Sequence, residues 1–260
     1  MPELNLLSLP ELQERFRGAV PEDEDSTLWY DEVAVTIRER DPDAGARFLR
    51  GEVDRDDPDR LCAILLAITW FDQRDSAHAD LVIECLEHPH ELVAARAIGD
   101  LATLGGCGLT ERVLALGADP RGGVRGAVLR FVREVIPGRA PPLLLEGLED
   151  PHYIVRWDAV EGLGQLEYAP ALPRVEAMLR DPHPHVRSEA LWAIPGLAPS
   201  STTIPLLLEA LHDPEADVRY SALTVLECER FTGRDMLERM LDDPDEHVRS
   251  NARNILERLD

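Results

Sequence analysis

Asp150-Pro151-His152-Tyr153-Ile154-Val155-Arg156 is one of seven copies of a single outline in this chain. Close copies are DPRGGVR from Asp119, DPHPHVR from Asp181, DPEADVR from Asp213 and DPDEHVR from Asp243. Looser ones are DPDRLCA from Asp57 and HPHELVA from His88. The starts at 57, 88, 119, 150, 181, 213 and 243 lie 31, 31, 31, 31, 32 and 30 residues apart. A fixed period of this length marks a repeat array, whose units bury their core against their neighbours and not around one centre.

Each period reads as two helices. The first ends in leucines: Leu148, Leu179, Leu211 and Leu241 each stand two residues before the Asp. The Asp is expected to end that helix and cap the next, and the Pro to sit at the first helical position, where the missing N–H is no loss. Counting the Val as zero, the second helix is apolar at zero, four and eight, as in Val155, Ala159 and Leu163 or Val186, Ala190 and Ile194. That spacing makes one helix face.

An Asp-Pro turn followed by Val-Arg, then Ala and an apolar pair, resembles the HEAT repeat in the short form found in the phycobilin (PBS) lyase HEAT-like group. The likeness covers residues 57–260 and is clearest in the last four units. It implies an all-α fold: a right-handed α-solenoid of about seven two-helix HEAT-like repeats with an N-terminal helical cap. It also implies that the second helices line a concave groove and that the Asp and Arg columns hydrogen-bond between neighbouring units. The matching arginines are Arg125, Arg156, Arg187, Arg219 and Arg249. Ala63 and Ala94 replace them in the first two units, so the ladder is expected to be weak or absent there.

Residues 1–56 show no clear outline and are read as the cap, with 57–260 as one continuous elongated array. In the cap, Leu4, Leu7, Leu9, Leu12 and Phe16 are at roughly helical spacing, and Pro21 to Asp25 break that pattern. Ser26 is a candidate cap for a helix to about Arg40, and a short helix is expected from Asp43 to Val53.

The 260 residues carry 50 Asp and Glu against 27 basic residues, all of them Arg, for a net charge of −23. So acidic a chain repels phosphate backbones and anionic lipid, which disfavours nucleic acid and membrane surfaces as partners. The lack of lysine reads as the codon bias of a GC-rich bacterial genome. Cys62, Cys85, Cys107 and Cys228 are scattered, with no Cys-x-x-Cys pair, and look like small core residues in a reducing compartment. The N-terminus lacks the pattern of a signal peptide, and no stretch approaches the ~20 apolar residues of a membrane span. A cytoplasmic protein is expected.

Function must then lie in the variable columns. If the second helices face inward, the inner face carries Tyr153, Trp157, Asp158 and Glu161, then His185, Glu189 and Trp192, then Asp217 and Tyr220. Trp157, Trp192 and Tyr220 are candidates for one aromatic patch, since adjacent helices lie roughly 10 Å apart. Exposed aromatics among charges have the makings of a binding hot spot. Arg121, Arg130 and Arg133 in the glycine-rich unit form a candidate anion ridge, although charge runs are usually solvated faces.

His88-Pro89-His90 and His183-Pro184-His185 raise a metal reading. The HEAT-like deoxyhypusine hydroxylases, however, hold iron by several His-Glu dyads, whereas here His90-Glu91 stands alone and Glu246-His247 is reversed. No metal and no cofactor is expected. Trp157, Glu161 and Trp192 also loosely echo the HEAT-like alkylpurine DNA glycosylases, and likeness to the phycobilin lyases implies a tetrapyrrole substrate.

No Ser-His-Asp order, phosphate loop or carboxylate pair stands out. The reading favoured is a non-catalytic scaffold, adaptor or inhibitor that holds a basic segment of a protein partner in its groove. The alternative is an enzyme of the HEAT-like class.

Overall fold

The structure is a computed structural model in which residues 4–21, 24–71 and 76–259 are described, without the side chains of residues 70, 71 and 76–78. Met1 to Glu3, and Glu22 and Asp23 of the expected acidic break, lie outside the described residues. The described residues form α-helices and short 3-10 turns and no strand, as the two-helix outline requires. Two compact units divide the chain, residues 1–135 and 136–260, where the sequence reading has a cap followed by one continuous array.

The first unit holds α1 (Leu9–Arg17), α2 (Ser26–Arg40), α3 (Pro42–Gly51), α4 (Pro58–Phe71), α5 (Ser76–Cys85), α6 (Glu91–Thr103), α7 (Thr110–Ala115) and α8 (Gly122–Val135). Helix α2 packs on α4, α4 on α6 and α6 on α8, while α1, α3, α5 and α7 each pack against the helix that follows. The segment read as a cap therefore contributes α2 to the same stack of second helices, and its α3 is the first helix of the pair completed by α4. Its core joins Leu12, Phe16, Trp29, Val33 and Ile37 to Ile64 and Ile68.

The start of α2 departs from expectation by one residue. Asp25 is the N-cap and accepts from the Leu28 N–H. The Ser26 hydroxyl instead donates to Asp59 Oδ2 at 2.6 Å.

The second unit holds α9 (Ala140–Gly147), α10 (Tyr153–Gln165), α11 (Leu172–Met178), α12 (Pro184–Leu197), α13 (Ser200–Ala210), α14 (Ala216–Cys228), α15 (Arg234–Arg239) and α16 (Glu246–Leu259). Helix α12 packs on α10, α14 on α12 and α16 on α14, each also against its own first helix. The predicted stripe is buried: Val155, Ala159, Leu163, Val186, Ala190 and Ile194 are at most 2% exposed. Close approach is built in at Gly164 of α10, where a Cβ would stand 2.9 Å from the Ala193 Cα of α12.

The Asp-Pro turn works differently from a simple cap. Helix α10 begins only at Tyr153, after His152, and α12 begins after His183, so the Pro of the outline lies ahead of the helix or at its edge. The Asp carboxylate accepts from the N–H two residues on, as in Asp150 to His152, Asp181 to His183, Asp213 to Glu215 and Asp243 to Asp245, at 2.8 to 2.9 Å. Such an Asx turn fixes the reversal between helices. The expected arrangement is found at the looser copy, where Asp57 directly precedes Pro58 at the start of α4 and accepts from the Arg60 N–H.

Turning the carboxylate outward from the helix leaves it open to the arginine of the previous repeat. Arg156 donates through Nε and Nη2 to both oxygens of Asp181 at 2.7 and 2.8 Å, and through Nη1 to the carbonyls of Asp150 and Pro151. Arg187 binds Asp213 and Arg219 binds Asp243 in the same way. Each planar guanidinium thus holds two carbonyls of its own turn and a carboxylate of the next, a geometry that suits Arg and not Lys.

The first unit corrects the expectation that the ladder fails at Ala94. Arg121, two residues after Asp119, sends Nη1 to the carbonyls of His88 and Pro89 at 2.7 and 2.9 Å, and Nε and Nη2 to Asp119 at 2.8 Å each. Its guanidinium makes the bonds that an arginine at position 94 would make, although it is delivered from the following repeat.

Candidate functional site

Among the nominated residues of the second unit, exposure separates three roles. Trp192 and Tyr220 are 47% and 43% exposed on α12 and α14, large apolar surfaces left in contact with water. Asp217 and His185 are exposed at the starts of the same helices. These are surface residues free to meet a partner.

Trp157, Glu161 and Glu189 are half-buried and form a polar cluster between α10 and α12. The Trp157 indole donates to the Glu189 carboxylate. Burial pushes that carboxyl up to about 7, Glu161 and Asp158 add repulsion, and the Trp157 hydrogen bond works the other way. Gln165 steadies Glu161 through a 3.0 Å hydrogen bond. The three residues expected to form one aromatic patch differ in burial, Trp157 being half-buried where Trp192 and Tyr220 are exposed.

Asp158 is a correction. It is 1% exposed and engaged within the protein, so it offers no charge to a partner at the surface. Its position explains this: three residues after Val155, it falls on the apolar stripe and not opposite it.

Tyr153 is 36% exposed but stacks on His183 of the next repeat, with ring centroids 3.6 Å apart and planes 7° from parallel. His185 lies 5.1 Å from His183, centroid to centroid. Desolvation, then the charge of His185, holds the His183 imidazole below its ordinary range. Each of His152 and His183 accepts from a backbone N–H two residues on, a turn-making role. Among the described residues no three His, Cys, Asp or Glu side chains converge to hold a metal ion.

The candidate anion ridge is also corrected. Arg121 is the rung described above, and its bonds to Asp119 hold that carboxyl below its usual range. The Arg133 side chain is 13% exposed and pairs with Glu134 at 3.2 Å. Arg130 has a partner within the protein and lines a cleft that also contains Glu134. The three do not present a common field of unpaired charge.

The sequence reading missed that cleft, about 450 Å³ along the second helices of the first unit. Its wall includes Asp59 and Cys62 of α4, Arg96 and Asp100 of α6, and Arg130, Phe131 and Glu134 of α8. Asp100 is 6% exposed, and burial pushes its carboxyl up to about 6 against the pull of Arg96 and Thr69. A signal was present: Asp100 stands seven residues after Val93, again on the apolar stripe. A second hollow, about 480 Å³, lies at the first helices of the second unit between Glu176, Arg180, Glu209 and His212.

Two of the four cysteines differ from expectation. Cys62 and Cys85 are buried, with thiols pushed by burial to about 12 and about 11, whereas Cys107 and Cys228 are exposed. No described helix is long and apolar enough to cross a membrane.

Compared with known proteins, residues 141–227 match the family of HEAT repeats. No curated protein matches the sequence. Among solved structures the chain is similar to the Escherichia coli protein YibA, with 22% identity, 73% of this chain and 72% of that one covered, and a TM-score of 0.59. It is similar to an engineered protein at 16% identity, with 95% and 77% covered and a TM-score of 0.54. The complex of CpcE and CpcF of phycocyanin lyase from Nostoc sp. PCC7120 is matched at 17% identity, with 93% and 100% covered and a TM-score of 0.48. At such identities the first two likenesses concern the fold alone. The family match shows HEAT repeats over residues 141–227, within the array of stacked helix pairs and Arg–Asp rungs.

Proposed function

We propose that the chain is a non-catalytic scaffold or inhibitor that binds a basic segment of a protein partner along α10, α12 and α14. The observation that carries this reading is the exposure of Trp192 and Tyr220 beside the carboxylates of Glu161, Glu189 and Asp217. Aromatic anchors supply contact area at small entropic cost, and flanking acids select a cationic partner. The net charge of −23 adds long-range attraction for such a partner. As in the sequence reading, we take the protein to be cytoplasmic.

The test is calorimetric titration with an arginine-rich peptide, alongside pull-down from native extract. Trp192→Ala/Tyr220→Ala is expected to weaken peptide binding about tenfold or more, the scale of lost aromatic hot spots. Equal binding by wild type and double variant, at low and high salt, would remove the basis of the proposal.

A second reading, an enzyme of the HEAT-like class, draws on Glu189. A carboxyl pushed up to about 7 beside Glu161 is in the range that general acid–base chemistry uses. Visible absorbance after incubation with a bilin, and retardation of DNA at low salt, distinguish the lyase and glycosylase forms of this reading.

A further inference from the structure

The cleft of the first unit is lined by a buried acceptor that the protein itself does not satisfy. Asp100 Oδ2 is buried without a hydrogen-bond partner, and beside the cleft so is Oδ1 of Asp31 on α2. Arg96 acts on both carboxylates electrostatically but forms no hydrogen bond or ion pair with them among the described residues. Asp59, by contrast, is satisfied by the Ser26 and Thr27 hydroxyls at 2.6 and 3.2 Å. An unpartnered buried carboxylate oxygen is costly, and such a group in a folded protein calls for an explanation.

The missing partner must be a hydrogen-bond donor. In and beside the cleft the carboxylates Asp31, Asp59, Asp100 and Glu134 outnumber the guanidiniums Arg96 and Arg130, so the surroundings favour a positive donor. Leu92, 54% exposed, and the partly exposed Ala95 add apolar surface on which a methylene stem can lie.

We propose that this cleft binds an organic cation, an alkylammonium or alkylguanidinium, whose N–H donates to Asp100 while its stem lies against Leu92 and Ala95. A free small amine and a Lys or Arg side chain of another protein share this chemistry. The site is separate from Trp192 and Tyr220 and stands independently of the partner reading above.

The ionised form of Asp100 is the one that binds, so affinity falls as pH drops through about 6. The groups facing Asp100 are Arg96 on its own helix, Asp59 and Cys62 on α4, Cys85 on α5, Arg130 and Glu134 on α8, and Asp31 on α2. Both thiols stay neutral in that interval, with values of about 12 and about 11.

The test titrates the full chain with 1,4-diaminobutane and, separately, with N-acetyl-arginine amide, by calorimetry and by the NMR shift of the Asp100 carboxyl carbon. Saturable binding is expected at about pH 8, about tenfold weaker at about pH 5 and in Asp100→Asn. Binding of the diamine alone assigns the site to a free amine; binding of the arginine amide assigns it to a protein side chain. Should Asp100→Asn fail to fold, the pH dependence and the Asp100 shift in the wild type decide. No saturable binding of either probe at about pH 8, or binding that leaves the Asp100 resonance unmoved, overturns the proposal.

Discussion

Arg219 donates through Nε and Nη2 to the two oxygens of Asp243, each at 2.8 Å, with side chains only 10% and 4% exposed. The Arg219 bonds are also what hold the Asp243 carboxyl below its usual range. Arg219→Ala leaves a buried carboxylate without its counter-ion and frees two carbonyls, for which a loss of about 3 kcal/mol is expected. Urea unfolding checks this, and a cycle with Asp243→Asn isolates the pair. Arg219→Lys is expected to recover only part of the loss, since an ammonium cannot grip both oxygens and reach the carbonyls together.

Arg121 offers a sharper test of how the ladder is built. Arg121→Ala is expected to destabilise the protein by about 2 kcal/mol, the scale of lost hydrogen bonds to charged groups. Adding Ala94→Arg to that variant restores the column from the usual side and is expected to return much of the loss. If thermal melting shows no recovery, the equivalence of the two delivery routes fails.

The period and the second-helix stripe were legible because they repeat at fixed columns, so each copy supports the others, and the rungs of the second unit followed from the likeness to the HEAT repeat. Arg121 was not, because its guanidinium reaches the ladder from another column, and only the fold places it beside His88. Asp158 and Asp100 were misjudged or overlooked for one reason. Each sits three or seven residues after a stripe valine, where a helix turns its side chain inward, and a carboxylate there is buried instead of displayed. Trp192 and Tyr220 were legible as surface because they stand six and two residues after theirs.

Two sets of carboxyls push stability in opposite directions with pH. Asp100, at about 6, and Glu189, at about 7, take up protons more readily folded than unfolded. Stability from them is therefore full below the unfolded value of about 4 and is lost as pH rises through the folded values. Asp119 and Asp243 are held low by Arg121 and Arg219, so their contribution is present above about 4 and is lost as pH falls further. The melting temperature is expected to peak near about pH 5, and Asp100→Asn with Glu189→Gln to flatten the decline between about pH 5 and about pH 8. Melting curves across that range check both statements.

Trp157→Phe removes the hydrogen bond that favours ionised Glu189. The Glu189 carboxyl is expected to titrate higher still in that variant, as followed by the NMR shift of its carboxyl carbon. An unchanged titration would mean that the indole does not act on this carboxylate.

Gly164→Ala sets helix propensity against packing. Alanine favours the helix by about 1 kcal/mol, yet its Cβ would meet the Ala193 Cβ at 2.7 Å and Cα at 2.9 Å. Forcing α10 and α12 apart is expected to outweigh that gain, for a net loss of about 1–2 kcal/mol in chemical denaturation.

A rung that joins the arginine of one turn to the aspartate of the next has a genetic corollary. Deleting residues 181–212 removes Arg187 and Asp181 together and brings Asp213 into the register that Asp181 held opposite Arg156. Duplicating the same stretch inserts one donor and one acceptor at once. Array length can therefore change by whole periods without passing through an intermediate in which a rung ion lacks its counter-ion, so unequal recombination between repeats leaves the ladder intact.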